Sequence, residues 1–131
     1  MSIHIDSDDL ERDAFAVDRL LALSPTAISH WDEGLYCRHA NRACQDWLGI
    51  DPEILLGSCL DALFEVLHLD GHYALADAAL QGERRSVVQS FKSGGSPRQA
   101  LVRCVPGMHR MQVRGILLQV GAMPPAVRFA R

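Results

Sequence analysis

The spacing of apolar residues changes from helical to β-like at Gly82, and that change constrains the fold more than any other feature. Beyond Gly82 the segments 86–92, 98–105 and 112–120 are rich in Val, Ile and Leu and carry no helical period, which reads as three consecutive strands in a meander. The turn Ser93-Gly94-Gly95-Ser96 and a break at Pro106-Gly107 separate them. Ahead of Gly82 the apolar residues recur in short helical blocks, and ahead of those lies one more β-like pair. Residues 26–31 and 35–39 flank Asp32-Glu33-Gly34, a hairpin in which Gly34 is expected to supply the positive φ of the turn. Helices inserted between a hairpin and a meander favour an α+β fold, a five-stranded antiparallel sheet with helices on one face.

Local signals place the helices. Asn41 is a candidate N-cap for a helix over 42–48, and Gly49 can close it in the left-handed conformation. Asp51-Pro52 repeats the start signal, a cap followed by proline in the first turn, and Gly57 ends that turn. Ser58 and Asp61 have capping-box spacing before a third helix through Leu60, Leu63 and Phe64. After Asp70, the residues His72, Leu75, Ala76, Ala79 and Leu80 share one helical face, which is expected to turn inward.

Upstream of all this, Leu10, Ala14, Val17 and Leu21 form an apolar stripe on an amphipathic helix over 8–23. Two heptads of stripe are too short to persist unpacked in water. The expected partners are the helix-free face of the sheet and the same helix of a second chain, so the segment predicts a homodimer. The chain divides into this helix (residues 1–23), one domain (24–122) and a C-terminal tail without periodicity (123–131).

Composition bounds the function classes. A chain of 131 residues suits one core. Its formal net charge of -3 and scattered arginines build no basic stripe, so nucleic acid is not an expected partner. No apolar run approaches the roughly 20 residues of a membrane-spanning helix. Cys37, Cys44, Cys59 and Cys104 show no CxxC pairing and read as free thiols of a reducing cytoplasm.

At this point several motifs resemble one family in register. Leu20-Leu-Ala-Leu-Ser-Pro-Thr-Ala-Ile, the hairpin into His39-Ala-Asn41-Arg-Ala, and Asp46-Trp47-Leu48-Gly49-Ile-Asp-Pro52-Glu53-Ile-Leu-Leu-Gly57 look like the first half of a bacterial PAS domain. Ala78-Ala79-Leu80-Gln81-Gly82-Glu83 and Val113-Arg114-Gly115-Ile-Leu-Leu-Gln-Val resemble its central helix and last strand. The resemblance spans roughly 20–120. It implies the PAS-like sheet, a small interior pocket and a sensory role in signal transduction, exercised by binding a small molecule or a signalling protein and repacking helices or a dimer in response. It departs at the end, where many members carry an Asp-Ile-Thr-like output motif and this chain reads Gly121-Ala122-Met123 before two prolines.

Pocket candidates are Trp47, His72, Leu75, Ala76 and Ala79; Asn41, Gly49 and Gly57 are structural. The cofactor is unknown. The alternative reading is a haem-bound sensor with His72 as axial ligand, because haem needs a single histidine. His68 and His72 are four apart, but no spacing specifies a third metal ligand, and zinc needs three or four. Cys44 lies outside the motif that flavin photochemistry requires. An enzyme on a related α+β scaffold is the remaining alternative, against which Ser24, Ser29 and Ser58 lack nucleophile-elbow surroundings and Ser93-Gly94-Gly95-Ser96 lacks the lysine of a phosphate loop.

Overall fold

The computed structural model describes residues 23–68, 73–93 and 96–123, and leaves the side chains of 91–97 undescribed. The expected N-terminal helix, including Leu10, Ala14, Val17 and Leu21, lies outside the described residues, as do Asp70, His72 and the tail from position 124.

Five strands form one antiparallel sheet in the order β2-β1-β5-β4-β3: β1 (Ala27–Trp31), β2 (Cys37–Ala40), β3 (Arg85–Ser93), β4 (Ser96–His109) and β5 (Gln112–Gly121). Among the described residues, four helices lie between β2 and β3: α1 (Ala43–Leu48), α2 (Pro52–Leu55), α3 (Leu60–Val66) and α4 (Tyr73–Leu80). Strand residues alternate between faces. Ala27, Ser29 and Trp31 of β1, Ala100, Val102 and Cys104 of β4, and Ile116, Leu118 and Val120 of β5 are buried. All of these except Ser29 share one apolar core with Ala43, Cys44, Leu55, Leu60, Phe64, Leu75 and Ala79 of the helices. The expected α+β architecture is what the chain adopts.

Several local signals act as expected. Gly49 caps α1 at φ 70 and donates its N–H to the Gln45 carbonyl. Asp51 accepts the Glu53 N–H at 2.8 Å, with Pro52 opening α2. Gly57 and Gly82 adopt positive φ where their helices stop. Leu75, Ala76 and Ala79 are buried on α4 as their period requires.

Others are corrected. Asn41 does not cap α1, whose N-cap position is Arg42 without a side-chain bond. Its amide faces β1 instead, accepting from the Ile28 N–H at 2.9 Å and donating to the Thr26 carbonyl at 2.8 Å. Ser58 forms no capping box: Cys59 is the N-cap of α3, and the Ser58 hydroxyl turns back to the Leu55 carbonyl at 2.6 Å. In the first hairpin the positive φ falls on Leu35 (65°), not on Gly34. Leu35 N–H donates to the Asp32 carbonyl and Asp32 N–H to the Tyr36 carbonyl, so the loop has three residues, and such loops place the left-handed residue third.

Pro106-Gly107 does not end β4 either. β3 pairs no further than Cys104, so beyond it β4 has an open edge that tolerates a proline, and the register shift between Pro106 and Met108 absorbs the irregularity. The turn comes at Arg110 and Met111, both at positive φ, between the paired His109 and Gln112.

Candidate functional site

The expected pocket residues that are described belong to the packed core between the helices and the inner face of the sheet. Trp47 stands at one side of it, on α1. Its ring is buried, its indole N–H donates to the Pro25 carbonyl at 3.0 Å, and the Arg98 guanidinium lies 3.5 Å from its ring centroid. Arg98 also donates to the Asp46 carbonyl at 2.9 Å. One aromatic side chain thus joins α1 to the segment entering β1 and to β4, through a hydrogen bond at its edge and a cation over its face.

On the other side α4 lies against β4 and β5 with Leu75, Ala76 and Ala79 buried, and the small side chains of the two alanines let the helix approach closely. The Tyr73 ring meets Phe64 edge-on at 5.4 Å, which fastens the start of α4 to α3. The predicted pocket residues Trp47, Leu75, Ala76 and Ala79 therefore all belong to the same core. Position 72 lies outside the described residues, and any axial haem ligand from this helix would have to come from there. Among the described residues, His30, His39, His68 and His109 are not buried.

Trp31, which sequence reasoning did not single out, is joined to Ser29, which it weighed only as a nucleophile. Trp31 is fully buried and donates its indole N–H to the Ser29 hydroxyl at 2.8 Å. The signal was present in the sequence, since residues 29 and 31 share a face in any strand that passes through both.

The thiols and hydroxyls around this core are taken up by packing and hydrogen bonds. Burial raises the thiols of Cys37, Cys44 and Cys104, to about 11 for Cys44 and about 12 for Cys104, which keeps them protonated and unreactive. Ser24 accepts the Thr26 N–H, Ser29 serves Trp31, and Ser58 serves the Leu55 carbonyl. No three histidine, cysteine or carboxylate side chains come together as a metal site among the described residues.

Comparison with known proteins decides the family. A family model described as the PAS fold matches residues 21–119. The chain belongs to the PAS-fold family. Solved structures, among them PAS domains, agree in architecture. The PAS domain of nitrogen regulation protein NR(II) from Vibrio parahaemolyticus is 19% identical with a TM-score of 0.60, covering 82% of this chain and 97% of that one. The phage VqmA–DPO complex gives 0.69 at 15% identity, covering 94% and 58%. The E. coli DhaR(N)–DhaL complex gives 0.64 at 19%, covering 88% and 38%. Identities this low speak to the fold alone. A search of the curated proteins gives no significant match. Among the described residues, no helix of this PAS domain is long and apolar enough to cross a membrane.

Proposed function

We propose that this PAS domain is a non-catalytic sensory module, acting in a bacterial cytoplasm as a homodimer, which takes its input from a small molecule or a protein partner and answers by repacking its helices or its dimer. The observation that carries this reading is the position of Trp47. The helix block is tied through that ring to Pro25, where the chain leaves the 1–22 segment, and through Arg98 to β4. A shift of α1 against the sheet therefore pulls on the entrance to the N-terminal segment, which is the route by which such a module would pass on a change.

Dimerisation follows from the apolar stripe Leu10, Ala14, Val17 and Leu21, which must be covered. The outer face of the sheet presents Ile28, Leu101, Val105 and Leu117, each half-buried, and the stripe of a second copy would complete the cover. Among the structural neighbours, VqmA is in complex with DPO and DhaR(N) with DhaL, and binding of either kind fits this reading. The structural duties of Ser24, Ser29 and Ser58 and the raised thiols support a role without catalysis. Four free cysteines fit a reducing compartment.

Native mass spectrometry of the intact chain tests the reading, because bound mass and stoichiometry are read together. A dimer mass is expected; a monomer carrying nothing contradicts it.

A further inference from the structure

We infer that Arg103 pairs with the carboxylates that border the apolar stripe of a second copy, Asp13 and Asp18, and that this contact fixes how the two chains dock. The inference rests on the homodimer reading above and names the residues that make the interface specific.

Arg103 is an exposed cation on the outer face of the sheet. Its neighbours on β4, Val102 and Cys104, are buried against the helices, so strand alternation turns Arg103 the other way. It stands opposite Ser86 of β3 and Gln119 of β5, and the rows on either side of it pair Val88 with Leu101 and Val105 with Leu117. The other described arginines of the strands are occupied: Arg38 by Asp32, Arg85 by Glu83, Arg114 by Glu33, and Arg98 over the Trp47 ring. Arg103 has no ion pair among the described residues, and the five strands contain no aspartate or glutamate. Whatever covers the apolar rows also takes water from this guanidinium, and a charge so covered needs a counter-charge. The carboxylate must therefore arrive with the covering element.

The N-terminal segment has that chemistry. In the helix that the sequence predicts over 8–23, residues three or four apart are neighbours on the surface. Asp13 stands in this relation to Leu10 and Val17, and Asp18 to Ala14 and Leu21, one on each side of the stripe. Arg12 and Arg19 stand in it to no stripe residue and belong to the opposite face. Charges bordering the stripe are thus acidic, and seating the stripe on the outer face brings carboxylates, not cations, to Arg103. Trp47 holds the Pro25 carbonyl at 3.0 Å from the helix side of the sheet. That anchor, away from the outer face, favours the stripe of a second copy over the chain's own as its cover.

The test is complementation between two charge-reversed full-length chains, Arg103→Glu and the double variant Asp13→Arg, Asp18→Arg, read by sedimentation velocity beside the wild type. Alone, each variant sets like charges together at both contacts of a two-fold dimer, and its dimer dissociation constant should rise roughly tenfold or more. Mixed one to one, they form a heterodimer in which each contact again joins opposite charges, and the mixture should dimerise within about threefold of the wild type. Variants that dimerise as tightly as the wild type would overturn the inference. So would weakened variants that the mixture does not rescue, which is the result expected when each stripe pairs with Arg103 of its own chain. If Arg103→Glu does not fold, the double variant decides alone: weakening that added salt relieves supports the pair, and an unchanged dimer overturns it. A monomeric wild type ends the homodimer reading itself, whereas a dimeric wild type matched by both variants leaves that reading standing and removes Arg103 from it.

Discussion

Asn41 holds Ile28 by a hydrogen bond that imitates a strand partner, its side-chain oxygen accepting the Ile28 N–H at 2.9 Å while its own backbone N–H donates to the Ile28 carbonyl at 3.0 Å. With the side-chain nitrogen on the Thr26 carbonyl, one residue extends the β1–β2 ladder past the end of β2. Replacing it with alanine leaves a backbone donor and an acceptor unpaired. Asn41→Ala should lower stability by about 1 to 3 kcal/mol, read as a shift of the urea midpoint at constant slope.

Gly115 should be the least replaceable of the described glycines. Its φ is 129°, and an added Cβ would meet the Trp31 carbonyl and lie 3.0 Å from the Asp32 Cα. Strain of about 1 to 3 kcal/mol and overpacking of about 1 to 3 kcal/mol add in Gly115→Ala. At Gly57, where φ is 82° and the surroundings are open, the same change should cost only about 1 to 2 kcal/mol. The two denaturation midpoints, measured together, check the contrast.

What the sequence made legible was governed by local chemistry. Gly49, Gly57 and the Asp51-Pro52 pair act through their own backbone and immediate neighbours, and they sit where their residue types predict. Asn41 and Ser58 also carry cap-like side chains, but their best partners lie elsewhere, across on β1 for Asn41 and back along the chain for Ser58. The positive φ belonged to Leu35 because loop length, not the presence of glycine, sets which position is left-handed. Arg110-Met111 carries no glycine or asparagine to announce a turn, while Pro106-Gly107 announces one and instead sits in an irregular, open-edged stretch of strand. Leu75, Ala76 and Ala79 were found from helical period. Trp31 was not, because its full burial depends on how the rest of the chain packs around it, which no local signal records.

The cysteines should separate into two classes. Cys37, Cys44 and Cys104 are buried with raised pKa, whereas Cys59 is partly exposed at the start of α3. At about pH 8 one thiol per chain should react promptly with a disulfide reagent and the other three at least about 100-fold more slowly, until denaturant is added.

Acid should weaken the fold through His30. Burial lowers its pKa from the ordinary 6.5; the Asp32 carboxylate opposes this, and His39 and Arg38 add to it. A lowered folded-state value means that the unfolded chain binds the proton more readily, so the contribution is present above the unfolded value and is lost as pH falls through the folded one. His30→Gln should flatten the decline in melting temperature on acidification from about pH 7 to about pH 5, when the two proteins are scanned side by side.

The claim that this PAS domain signals as a dimer through its N-terminal segment meets its most direct test in sedimentation velocity of the intact chain beside the double variant Val17→Glu, Leu21→Glu. The wild type should sediment as a dimer at micromolar concentration, and the variant, with two carboxylates in its apolar stripe, as a monomer or as aggregate. A wild-type chain that remains monomeric at high micromolar concentration would contradict the claim and show that the stripe is satisfied within one chain.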